Sequence, residues 1–164
     1  MTLNTKINKK SNSKRDDYAT PAHVWKDIEQ YIPKDKIIYV PFFLDGGTKQ
    51  TYLDLGCKDV IHEDVDYFKN EFKFDLICDN PPFSKKKQIL AKLKADGTPF
   101  ILLVPPGTMH TNYFRQMFKG DTDIQIIIPK SRIHYISGTE NEGRPSNCPF
   151  DTIYLCWKMK LPRE

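Results

Sequence analysis

A chain of 164 residues, with 39% hydrophobic and 12% aromatic side chains, suits one domain with one core and an ordinary globular composition. Its net charge of +4 permits contact with a polyanion without requiring one. The four cysteines, Cys57, Cys78, Cys148 and Cys156, show no Cys-x-x-Cys pairing. That pattern argues for reduced thiols in an intracellular protein rather than a disulfide framework. No segment has the apolar centre of a signal peptide or the length of a membrane span. The expected location is therefore cytosolic, nuclear or inside an infected cell.

Residues 1–17 are polar, carry Lys6, Lys9, Lys10, Lys14 and Arg15, and lack an apolar period. They read as a flexible basic tail before a single domain over 18–160. Thr20-Pro21 predicts a helix start, with Thr20 as N-cap and Pro21 at the first helical position. Val24, Ile28 and Ile32 recur behind it at helical spacing, beside Trp25. Residues 36–40 predict a short strand. Phe42 to Gly47 predicts a turn opening a helix that runs to Gly56. Residues 59–62 predict a second strand, ending in Glu63-Asp64-Val65-Asp66, and 74–78 a third. A helix is expected over 86–95, closed by Gly97, and then a strongly apolar, central strand over 99–104. Thr111 caps a helix through Phe118, which Gly120 ends. Late strands are expected over 124–128, 132–136 and 152–157, the last two separated by a Gly/Pro/Asn/Ser-rich loop from Gly138 to Pro149.

Strands alternating with helices predict an α/β fold with a mostly parallel sheet and helices on both faces. Late strands without a helix between them predict an antiparallel pair at one edge. In such sheets ligands bind beyond the carboxyl ends of the strands. The loops after Val40, His62 and Cys78 all fall there.

The third of these loops, Asp79-Asn80-Pro81-Pro82-Phe83, is the most informative. Two prolines remove two donors and set φ twice, so the chain leaves the sheet as a stiff corner. The Asn80 side-chain oxygen and the Pro81 carbonyl can each accept one hydrogen of a flat NH2 group. Phe83 can stack on its ring. Asn80-Pro81-Pro82-Phe83 resembles motif IV of the class I S-adenosylmethionine-dependent methyltransferases that modify exocyclic amines. The likeness spans roughly residues 16–158, and it implies their Rossmann-like sheet. It also implies catalytic roles for Asn80, Pro81, Pro82 and Phe83, with Asn80 touching the cofactor as well.

The resemblance implies a cofactor side. The family's first motif, Asp-Pro-Phe-x-Gly-x-Gly, is matched at Pro41, Phe42 and Gly46. Val40 replaces its leading acid and Leu44 its first glycine. Asp45, or Asp16 or Asp17, is then the candidate for the cofactor ammonium. Asp64, with Glu63 second, is expected to accept from the ribose hydroxyls, with Tyr67 and Phe68 flanking the adenine. Tyr18-Ala19-Thr20-Pro21 looks like the Tyr-x-Thr-Pro segment of phage and other viral adenine methyltransferases. This adds Tyr18 and Thr20 to the expected cofactor-binding set.

The implied reaction is methylation of the adenine N6 amine in nucleic acid, DNA slightly ahead of RNA. Two alternatives stay open: methylation of a protein glutamine amide, or an inactive scaffold, for which Val40 and Leu44 speak. A target base in a duplex must be flipped out, with Phe83 replacing its lost stacking. Lys85, Lys86 and Lys87 stand where phosphates could be met. Arg132, His134 and Arg144 extend the expected substrate contacts. With little chain left for base reading, the expectation is weak sequence preference and reliance on open substrate, a homodimer or a partner protein. His62, His110 and His134 lack metal-ligand spacing, so no metal site is expected.

Overall fold

The computed structural model describes residues 18–137 and 151–163. The expected basic tail with Asp16 and Asp17, and the loop carrying Arg144 and Cys148, lie outside the described residues. The strands are β1 (Tyr18–Ala19), β2 (Ile37–Tyr39), β3 (Asp59–Ile61), β4 (Leu76–Asp79), β5 (Phe100–Val104), β6 (Ile124–Ile127), β7 (Ile136–Ser137) and β8 (Ile153–Trp157). The helices are α1 (Ala22–Lys26), α2 (Thr48–Asp54), α3 (Lys86–Asp96) and α4 (Asn112–Met117), joined by short 3-10 turns.

Six strands form one mixed sheet in the order β3-β2-β4-β5-β8-β6. The β2–β3, β2–β4 and β4–β5 pairs are parallel. β8 runs antiparallel to both β5 and β6. The expected α/β class and antiparallel edge pair are thus present, the pair being β8 and β6. β1 and β7 form a separate two-stranded ladder.

Alternation along the strands builds two apolar layers. Ile38, Leu76, Cys78, Ile101, Leu103 and Tyr154 face one way, against Val24, Trp25 and Ile28 of the α1 region and Tyr52 of α2. Tyr39, Ile77, Phe100, Leu102, Leu155 and Trp157 face the other way, against Ile89, Leu90 and Leu93 of α3 and Phe114 of α4. All five residues of β5 are buried, as a strand covered on both faces requires. Truncating Leu102 or Leu103 to Ala would cost about 2–5 kcal/mol. The Tyr154 hydroxyl donates to the Val24 carbonyl at 2.7 Å and ties α1 to the sheet.

Local signals behave largely as their chemistry dictates. Gly97 ends α3 at φ 68°, in the left-handed region, and Thr98 N–H returns to Leu93 O at 3.0 Å. Thr111 Oγ1 accepts from Phe114 N–H at 3.3 Å and caps α4. Two expectations are corrected. Thr20 does not cap α1: the N-cap is Pro21, with no side-chain bond. The strand expected over 132–136 is absent from the main sheet, and only Ile136–Ser137 pairs, with β1. Its apolar residues Ile133 and Tyr135 are buried without a ladder, so apolar alternation served packing rather than pairing.

β2 and β4 are neighbours, yet the helices after them leave on opposite faces: α2 packs with the first layer and α3 with the second. The loops therefore diverge between these two strands, which makes their carboxyl ends the switch point where open α/β sheets bind ligands. Among the described residues no helix is long and apolar enough to cross a membrane.

Candidate functional site at the carboxyl edge of the sheet

The corner after β4 begins with a buried acid. Asp79 is 4% exposed at the end of a wholly apolar strand. Its Oδ2 accepts the N–H of Phe42 at 2.7 Å, and its Oδ1 accepts the N–H of Asn80 at 2.7 Å. Burial pushes its pKa up to about 8, against the opposing pull of these two N–H groups. Asp79 thereby joins the loop after β2 to the corner after β4. No role for Asp79 follows from the sequence alone. Its signal was an acid closing a strand that is otherwise entirely apolar.

Asn80 comes next. Its Nδ2 donates to Thr20 Oγ1 at 3.1 Å. Its Oδ1 is buried and has no hydrogen-bond partner among the described residues. The hydroxyl expected to cap a helix instead orients this amide, so Tyr18-Ala19-Thr20-Pro21 and Asn80-Pro81-Pro82-Phe83 meet. Pro81 is buried and Pro82 half-buried. Neither has an N–H, so the corner offers acceptors and no donors from these two residues. From α2, Tyr52 donates to the Cys78 carbonyl at 2.6 Å and supports the strand end below.

Phe83 opens a 3-10 turn that leads into α3. Lys86 Nζ lies 5.8 Å from the centre of its ring, and burial lowers the Lys86 pKa. Lys85 and Lys87 are exposed at the start of the helix. Basic groups are unfavourable there, because the N-terminal end of a helix carries partial positive charge.

The loop after β2 packs by its rings. Pro41 is buried, and Phe42 meets Tyr67 at 5.5 Å between centroids. Phe43 lies over His62 at 4.8 Å and 31°. His62 is 6% exposed, with Nδ1 2.7 Å from the Val40 carbonyl. A carbonyl only accepts, so Nδ1 carries the proton. Its Nε2 is buried without a partner among the described residues. Val40, standing where the first motif has an acid, is fully buried in the core. Asp45 Oδ1 accepts from Gly47 N–H at 2.9 Å within its own turn. Gly46 sits at φ 84°, and a Cβ there would meet Phe43 Cζ at 3.0 Å.

After β3, which runs parallel to β2, Glu63 and Asp64 are exposed at the same carboxyl edge of the sheet. Tyr67 is 7% exposed and belongs to the core, whereas Phe68 is 42% exposed. Of the two expected to flank a ring, Phe68 is the one presented to solvent. Tyr18 pairs with Ser137 in the β1–β7 ladder. The segment before β7 returns to the same end of the sheet, where Tyr135 Oη and Thr152 Oγ1 lie 2.7 Å apart just before β8. His134 is exposed on it, and Arg132 pairs with Asp151 at 3.0 Å. Asp79 bonds the N–H groups of Phe42 and Asn80, and the Asn80 side chain bonds Thr20, so the structure brings these four residues into one cluster. Among the described residues no three His, Cys, Asp or Glu side chains converge as metal ligands. No protein-family model matches the chain, and no curated protein matches it.

Proposed function

We propose that the chain is an S-adenosylmethionine-dependent methyltransferase acting on the N6 amine of adenine in nucleic acid, with DNA the favoured polymer. The observation that carries this reading is the buried Oδ1 of Asn80, without a partner among the described residues, in a corner of two prolines, its amide oriented by Thr20. A buried acceptor without a donor costs roughly 1–3 kcal/mol. A bound N–H group would recover that cost. The strand order supports the reading, since a parallel sheet with one reversed strand beside its border is the architecture expected of class I methyltransferases.

The residues present suit the cofactor. The Phe42–Gly47 turn would hold its methionine part, the Asp64 carboxylate its ribose hydroxyls, and exposed Phe68 its adenine. When bound, S-adenosylmethionine supplies an electrophilic methyl group on a sulfonium. Asn80 Oδ1 and the Pro81 carbonyl would each accept one N–H of the target amine. That draws the nitrogen out of conjugation and turns its lone pair toward the methyl. The amine nitrogen would gain the methyl group and release its extra proton to solvent afterwards, so the corner would need no strong base. Asp79 holds both loops in register while this happens. Phe83 stacks on the flipped base, and Lys85 and Lys87 meet the backbone phosphates.

The test is transfer of labelled methyl from S-adenosylmethionine to DNA, RNA and protein pools, followed by nucleoside analysis. Label recovered as N6-methyladenine supports the proposal. Label on protein glutamine moves the same corner to an amide substrate. Absence of cofactor binding by calorimetry supports the inactive scaffold, which the burial of Val40 favours.

A further inference from the structure

Strand β6 borders the sheet, paired with β8 on one side. Among the described residues no strand pairs with its outer side. Bordering strands usually carry charge, proline or a bulge to prevent further pairing. β6 reads Ile124-Gln125-Ile126-Ile127 and runs into Ile128, and Pro129 comes only after it. By alternation Ile124, Ile126 and Ile128 share the face that carries Leu155 and Trp157. Cover runs out along this row: Ile126 is 43% and Ile128 79% exposed. A groove of about 800 Å³ follows the strand, its other wall formed by Lys160 to Arg163. Gln125 secures that wall, donating to Leu161 O at 3.0 Å and accepting Leu161 N–H at 2.8 Å.

We propose that this border is the interface with a second copy of the chain, β6 pairing antiparallel with β6 about a two-fold axis at Ile126. This register sets Ile124 opposite Ile128 of the second copy, and Ile126 opposite its own equivalent. Each exposed isoleucine is then covered by another. Lys158 N–H donates to Asp123 O at 3.2 Å, so the odd positions of this ladder bond β8 and the N–H and C=O groups of Ile124 and Ile126 point outward, where this register pairs them. A slip of one position in either direction would set the isoleucine row of one copy on the opposite face from that of the other. Pro129 has no N–H to donate, which limits the ladder to the isoleucine stretch. Such a contact is isologous and closes on itself. It leaves the carboxyl ends of β2 and β4, far from β6 in the strand order, free in both copies, and it stands independently of the proposed reaction.

Sedimentation equilibrium of the intact chain at micromolar concentration should return a dimer. Ile126→Lys places two ammonium groups at the axis and should return a monomer with an unchanged circular dichroism spectrum. Under mild oxidation Ile126→Cys should give a cross-linked dimer well above the level of the unsubstituted chain. Ile128→Cys should not, because its equivalent lies four residues along the pair, about 13 Å away, beyond disulfide reach. A monomeric native chain, a dimer that survives Ile126→Lys, or equal cross-linking at both positions would overturn the proposal.

Discussion

The Asp79 carboxylate accepts the backbone N–H of Phe42 at 2.7 Å across two neighbouring strand ends. Its other oxygen takes the N–H of Asn80, so one buried side chain sets the spacing between the loop after β2 and the corner after β4. Asp79→Ala would leave both N–H groups without their acceptor. The expected loss is about 2–4 kcal/mol, read as a lower urea midpoint at unchanged slope. A stability within experimental error of the native chain would remove Asp79 from this role.

The same group gives a pH dependence. An unfolded aspartate titrates near about 4, and in the folded chain the Asp79 value rises to about 8. The native state holds the proton more tightly, so this stabilisation is complete below the unfolded value. It is lost as pH rises through the folded one. Asp79→Asn cannot titrate there. The native chain should therefore lose stability relative to Asp79→Asn as pH is raised over this window, measured by paired urea titrations. A constant difference would mean that the carboxyl stays ionised throughout.

Asn80→Ala removes the buried acceptor but no expected ribose contact. Turnover should fall by about two orders of magnitude or more, while S-adenosylmethionine affinity changes little, because the lost bonds form to the target amine in the transition state. Calorimetry and methyl transfer on the same preparation separate the two effects. Retained turnover would exclude this oxygen from catalysis.

Thr20→Val keeps the shape of the side chain and deletes the acceptor of the Asn80 Nδ2 bond. The amide then loses its orientation, and turnover should drop by about tenfold, a transition-state loss of about 1.4 kcal/mol. Thr20→Ser should restore most of it. Equal activity of the Val and Ser variants would show that orientation of Asn80 does not depend on this hydroxyl.

Asp64→Ala tests the cofactor side. Loss of the acceptor for two ribose hydroxyls should weaken S-adenosylmethionine binding by more than tenfold, on the order of 1.4 kcal/mol. Unchanged affinity would pass the assignment to Glu63, which is exposed on the same loop.

Strong local signals carried much of the architecture. The apolar run of β5, Gly97 closing α3 and Thr111 capping α4 each act within a few residues of themselves, so their physics is present in the linear chain. The stiffness of Asn80-Pro81-Pro82-Phe83 is likewise a property of two adjacent prolines. Thr20 shows the limit. Its sequence context fits a helix cap, but Asn80, sixty positions away, takes the bond. The same holds for Arg132 to Ile136, whose alternation reads as a strand while Ile133 and Tyr135 are drawn into the core. The roles of Asp79 and His62 exist only once β2, β3 and β4 lie side by side. Burial raises the pKa of the first, and the Val40 carbonyl selects the tautomer of the second. Periodicity and turn chemistry are local and legible in one dimension. Desolvation and hydrogen bonding between distant segments arise only when folding brings those segments together and excludes the water between them.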